Sequence, residues 1–158
     1  MTSLLPHAPD NVDEADLLDL LSAYQYLQAQ SLRMSTRISE VLDLSPTDVR
    51  ALVYLLRAQD PTPKDLATFL HHTTGSITAM VDRLERSGHL SRRPHPSDRR
   101  SQTLHLTDTG IKAVGYIRTT YQDAFNGAFV GPAIQTAAST LKTLADALTP
   151  ALSEISPA

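Results

Sequence analysis

Residues 71–88 read HHTTGSITAMVDRLERSG, and this stretch decides the fold. Ile77, Met80, Val81 and Leu84 recur at intervals of three and four, the spacing of one buried stripe on a helix. The threonines ahead of them can cap a helix start, and Gly88 supplies the left-handed residue that commonly ends one. Immediately upstream, PKDLATFLH is a short helix opened by Thr62-Pro63, with Asp65 three residues after Thr62 in the pattern of a capping box with a shortened acid. Two helices joined by a few residues form a helix-turn-helix. The second one's solvent side carries Thr74, Gly75, Ser76, Thr78, Ala79 and Arg83, mostly small or hydrogen-bonding residues.

Downstream, HLSRRP and QTLHLT are brief segments able to form strands, and PHPSDRRS between them is made of turn residues. The spacing predicts a hairpin with Arg99 and Arg100 at its tip. The chain is acidic overall, with a formal net charge of -3, yet six arginines and two acids lie between Arg83 and Arg100. That segment is therefore +4 and the remainder -7. A local positive surface on an acidic body suits an anionic partner engaged at one place, the alternative being a solvated face. A helix can enter a major groove while an arginine-tipped loop reaches the adjacent minor groove, where narrow stretches concentrate negative potential. Asp98 is expected to pin one of the tip arginines in a paired geometry. Arg92 and Arg93 can bind phosphate, or one of them can clamp to Asp82 or Glu85.

Further out, Ser45-Pro46 opens a helix with an apolar side through Val49, Leu52, Val53, Leu55 and Leu56. Before it, Leu17, Leu20, Leu21, Tyr24, Leu27, Met34, Ile38 and Val41 mark a long amphipathic helix. After the hairpin, Thr107 caps a helix with Ile111, Val114, Ile117, Tyr121 and Phe125 along one side. Gly131-Pro132 breaks it, and a last helix runs to about Ile155 through Leu141, Leu144, Leu148 and Leu152. Apolar seams at both ends would leave a large exposed surface on a monomer, so dimerisation through both termini is expected. The expected organisation is a loose arm over 1–11, an N-terminal dimerisation helix over 12–44, a winged helix-turn-helix over 45–107 and C-terminal dimerisation helices over 108–158. The fold class is mainly α with a small β-hairpin wing.

The run DLATFLHHTTGSITAMVDRLERSGHLSRRPHPSDRRSQTLHLTDTG, residues 65–110, resembles the core of the MarR family of winged helix-turn-helix regulators. Leu66-Ala67, Leu70, Thr78, Val81 to Glu85, Gly88, Arg92, Asp98-Arg99-Arg100, Leu106-Thr107 and Gly110 keep the family's spacing without a gap. The resemblance implies an intertwined homodimer gripping a pseudo-palindromic operator in double-stranded DNA. It implies that Thr73 to Ser87 is the recognition helix and that Asp98-x-Arg100 is the wing motif whose arginine enters the minor groove. Thr73, Thr74, Gly75, Ser76, Thr78, Ala79, Arg83, Asp98, Arg99 and Arg100 are then the DNA-binding residues. Family members are usually repressors, and many release DNA when a small phenolic or other aromatic effector binds. Positions 74 and 79 are often basic or bulky polar in the family, whereas Thr74 and Ala79 stand here. Direct bidentate readout of guanine is less available, and wing and phosphate contacts are expected to dominate affinity.

Other functions find less support. At 158 residues, 41% hydrophobic and 20% charged, the composition is that of a soluble globular chain, with no apolar run of transmembrane length; a cytoplasmic protein is expected. Zero cysteines exclude disulfides, thiolate catalysis and Cys-zinc sites. No phosphate-cradling glycine loop, G-x-S-x-G or HExxH is present, so no enzyme and no cofactor are expected. His71-His72 read as polar turn residues, with no metal site expected, and His89, His95 and His105 as solvated. Tyr24, Tyr26 and Tyr54 are candidates for an effector pocket, set against ordinary packing. The alternative function is a winged-helix module for protein contact without specific DNA binding.

Overall fold

The computed structural model describes residues 13–98, 101–129 and 131–154, with side chains to residue 150. In chain order the described elements are α1 (Glu14–Leu42), α2 (Pro46–Arg57), α3 (Pro63–Leu70), α4 (Thr74–Arg86), β1 (Leu90–Pro94), β2 (Gln102–Leu106), α5 (Asp108–Asn126) and α6 (Ala133–Glu154). The chain divides between Val114 and Gly115 into two compact units.

Within the first unit, short polar side chains set the helix boundaries. Asp13 accepts from the Ala15 amide at 3.0 Å to start α1, and Asp43 ends it in the left-handed region at φ 52. Ser45 and Asp48 form a full capping box on α2, each side chain accepting the other's backbone amide. Thr62 and Asp65 repeat this on α3, as their spacing predicts, and the Thr62 hydroxyl adds a 2.7 Å bond to the Asp65 carboxylate. Those donors, the Thr62 backbone amide first, hold the Asp65 carboxyl below its ordinary value. α3 stops at His71, in the left-handed region at φ 55, and α4 stops before Gly88 at φ 76.

The buried faces of α2, α3 and α4 meet in one core around Leu52, Leu66, Ile77, Val81 and Leu84, closed from the wing side by Leu90 and Leu104 and from α5 by Ala113 and Val114. β1 and β2 pair antiparallel, with Leu90 opposite Leu106, Arg92 opposite Leu104 and Pro94 opposite Gln102. On the other edge of β2, the Leu104 amide donates to the Pro61 carbonyl at 2.8 Å, so the α2–α3 loop is stitched to the wing.

The start of α5 is held against the α4–β1 turn. Thr107 donates its amide to the His89 carbonyl and its hydroxyl to the Gly88 carbonyl, and its Oγ1 in turn accepts the Gly110 amide, capping α5. A Cβ at Gly110 would collide with the His89 carbonyl, so this close approach requires glycine. The docking also sets the helix phase. Ala113 and Val114 face inward, one turn on from Gly110, while Ile111, expected on the buried side, is exposed. In α1 the C-terminal Ile38 is buried, whereas Leu18, Leu20, Leu21, Leu27 and Leu32 are exposed.

The second unit carries most of α5, and all of α6. Tyr121, Phe125 and Phe129 form a run of rings with centroids 5.8 and 6.2 Å apart. α6 exposes Ile134, Leu141 and Leu148 and contains Pro150 near its end. Among the described residues no helix is long and apolar enough to cross a membrane.

Candidate nucleic-acid interface

The side of α4 opposite its buried row is small and polar. Thr73, the N-cap, and Thr74, Gly75, Ser76, Thr78 and Ala79 are all exposed. Their hydroxyls are not equivalent. Thr73 Oγ1 accepts the Ser76 amide at 3.3 Å and lies 3.0 Å from Ser76 Oγ. Thr78 donates its hydroxyl to the Thr74 carbonyl at 3.0 Å, which leaves that hydroxyl oxygen able to accept. The hydroxyl of Thr74 has no partner among the described residues. A Cβ at Gly75 would meet nothing within 4 Å, so the backbone there can be approached closely from outside.

Arg83, expected on this reading face, is committed elsewhere. Its Nε and Nη2 donate to Asp48 Oδ2 at 3.2 Å and Oδ1 at 2.6 Å. The Asp48 side chain is 2% exposed and that of Arg83 50%. Hydrogen bonding to Asp48 raises the Arg83 guanidinium above its ordinary value, against the opposing effect of partial burial. Asp48 carries no functional signal in the sequence beyond being an acid three residues after Ser45, which marks a cap.

The wing is fastened to α4 by a second arginine. Arg92 donates from Nη1 to Glu85 at 2.6 Å and from Nη2 to Asp82 at 2.5 Å, and its backbone amide also meets Glu85. Of the two roles open to it, Arg92 is the clamp. Arg93, the other of that pair, is exposed and has no acidic partner among the described residues. Arg86 is exposed in the same way, and no signal in the sequence singles it out.

At the tip, the Ser101 amide donates to the Asp98 carbonyl and its hydroxyl to the Asp98 carboxylate at 2.7 Å, and the His95 amide closes the turn on the Ser101 carbonyl. Asp98 is exposed. Arg99 and Arg100, and with them the expected pinning of a tip arginine, lie outside the described residues. The three wing-side histidines are partly exposed and each lies beside a hydroxyl, His89 with Ser87, His95 with Ser97 and His105 with Thr103.

The tyrosines separate. Tyr54 stacks on Phe69 with centroids 4.5 Å apart, and both line a 650 Å³ groove with Val53, Arg57, Gln59 and Asp65. Burial, then the Asp65 charge, raises the Tyr54 phenol above its ordinary value. Tyr24 and Tyr26 lie on α1, where Tyr24 accepts from Gln28 at 2.7 Å and Tyr26 is exposed; neither lines that groove. Among the described residues no three His, Asp or Glu side chains gather to hold a metal.

Known proteins share both the sequence of this region and its fold. Residues 42–101 match the family model described as MarR family. The HTH-type transcriptional regulator YcgE of Bacillus subtilis is 34% identical over 77 residues, covering 49% of this chain and 50% of YcgE. The chain spans about half the length of the curated relatives it matches. A MarR family protein from Bacillus stearothermophilus superposes with a TM-score of 0.72 at 22% identity, over 87% of this chain and 99% of that one. MepR of S. aureus, in its DNA complex, superposes with a TM-score of 0.57 at 21% identity, over 79% and 98%. The fold is thus the winged helix-turn-helix expected from the sequence, and residues 42–101, which span α2, α3, α4 and β1, are similar in sequence to the MarR family.

Proposed function

We propose that this chain is a homodimeric, sequence-specific DNA-binding transcriptional regulator that acts as a repressor. One observation carries the reading: α4 presents an exposed face of Thr74, Gly75, Ser76, Thr78 and Ala79, while Arg92 fixes the wing to the same helix. In this reading α4 enters a major groove, where threonine methyls and a backbone approach at Gly75 meet base edges. The tip residues Asp98, Arg99 and Arg100 then address the neighbouring minor groove. MepR, which has this fold, crystallised as a complex with DNA, and that supports the same partner here.

Dimerisation comes from the exposed leucines of α1 together with the apolar row of α6, each a surface too large for one soluble copy. The effector would be a small phenolic or aromatic compound, and its effect on DNA affinity requires it to favour a spacing of the two lobes that no longer fits successive grooves. Among the three tyrosines, Tyr54 has the surroundings for such a ligand, a stacked aromatic neighbour beside an open groove.

The test is fluorescence anisotropy with duplex DNA from upstream of the chain's own gene, titrated across ionic strength. Steep loss of affinity with salt is the expected result, and Arg100→Ala is expected to weaken binding more than Thr74→Ala. A module for protein contact alone would show no duplex binding to titrate.

A further inference from the structure

Arg83 is an exposed-face arginine of a reading helix, and such a residue is ordinarily counted as a phosphate ligand. Its geometry opposes that role. The Nε–Nη2 edge of the guanidinium is held by Asp48, whose carboxylate is almost fully buried and whose Oδ2 also accepts the Ser45 amide at 3.0 Å. Moving Arg83 to a phosphate would leave a buried carboxylate without its counter-charge, which costs far more than an exposed ion pair returns. The surroundings point the same way. A 480 Å³ groove at this corner is lined by Glu40, Asp43 and Asp48 as well as Arg83, so an approaching phosphodiester meets acids on the side from which Arg83 would have to reach it.

We propose that Asp48 is a positioning residue that docks α4 onto the start of α2 and withholds the Arg83 charge from the DNA backbone. This rests on the DNA-binding reading above and adds a specificity role to it. A phosphate contact strengthens binding to every sequence alike, whereas the Thr74 to Ala79 face can discriminate. Cancelling Arg83 lowers the sequence-independent part of affinity and enlarges the share decided by base edges. Asp48 thereby couples two tasks, since the carboxylate that caps α2 also fixes where the third turn of α4 lies.

The experiment uses the full chain with Arg83→Met and Asp48→Asn, the latter keeping a side-chain acceptor for the cap. Binding to the upstream duplex and to a scrambled duplex of equal length is measured over a range of salt concentrations. Arg83→Met is expected to weaken upstream binding while leaving the slope of log affinity against log salt unchanged. Asp48→Asn is expected to raise scrambled-duplex binding several-fold, to steepen the slope by about 0.9, the value of one phosphate contact, and to narrow the ratio between the two duplexes. A slope that falls by about 0.9 in Arg83→Met would identify Arg83 as a phosphate ligand and overturn the proposal, as would unchanged scrambled binding in a folded Asp48→Asn. Should circular dichroism show Asp48→Asn unfolded, the Arg83→Met slope alone decides. Failure of the unmodified chain to bind either duplex sinks the DNA-binding reading itself, an outcome separate from these.

Discussion

At the scale of single residues, the candidate interface is governed by which arginine has found a carboxylate. Arg92 joins β1 to two acids on consecutive turns of α4, and removing it leaves Asp82 and Glu85 facing each other's charge without a cation between them. Arg92→Ala should lower stability by about 1–2 kcal/mol, a figure discounted for the partial exposure of all three groups, and urea denaturation monitored by circular dichroism measures it. Gly75 makes the opposite kind of prediction. Open space around its absent Cβ means Gly75→Ala should raise the stability of the free protein by about 0.5 kcal/mol while weakening duplex binding, because the methyl group stands where a base edge would approach. Thermal melts and anisotropy on the same preparation check both halves. The exposed face from Thr73 to Ala79 was legible from helical spacing alone. The fate of Arg83 was not, because its partner lies 35 residues away and reaches it only through the packing of α2 against the helix-turn-helix.

Among the elements, the helix ends were the most readable part of the chain, since each is written in a short local signal. Ser45-Pro46, Thr62-Pro63, Thr73 and Gly88 all sit where their chemistry predicts, because a cap satisfies backbone groups within four residues and needs nothing from the rest of the fold. The phase of α5 needed more. Ile111 belongs to the apolar row by spacing, yet contact of Gly110 with the His89 carbonyl turns it outward, and that contact joins residues of different elements. Gly110→Ala should accordingly destabilise the protein by about 1–3 kcal/mol through backbone overpacking, measured by thermal unfolding. The α3 cap gives a pH dependence. Thr62 holds the folded Asp65 carboxyl below its unfolded value, so its contribution is complete above the unfolded value and is lost as pH falls through the folded one. Asp65→Ala should cost about 1 kcal/mol at neutral pH, and the gap between variant and parent melting temperatures should close as pH drops below about 4.

For the molecule as a whole, α1 carries the longest row of exposed apolar residues among those described. Periodicity shows which face of a helix is apolar and is silent on what covers it, so the α1 row was visible in the sequence while its partner was a matter of inference. With Leu20 and Leu27 both exposed, the double variant Leu20→Glu and Leu27→Glu should shift the protein from dimer to monomer in sedimentation velocity, provided a second copy is what buries that face. The same variant should lose most of its affinity for a two-half-site duplex and keep the weaker binding of a single lobe.

The bond from the Leu104 amide to the Pro61 carbonyl anchors the wing at the middle of β2, on the opposite edge from β1. With β2 held on both edges, changes of length or charge in the segment between the two strands need not propagate into the helix-turn-helix. If the proposed DNA-binding reading holds, related chains could therefore acquire new minor-groove preferences by rewriting that segment alone, without renegotiating how α4 is aimed.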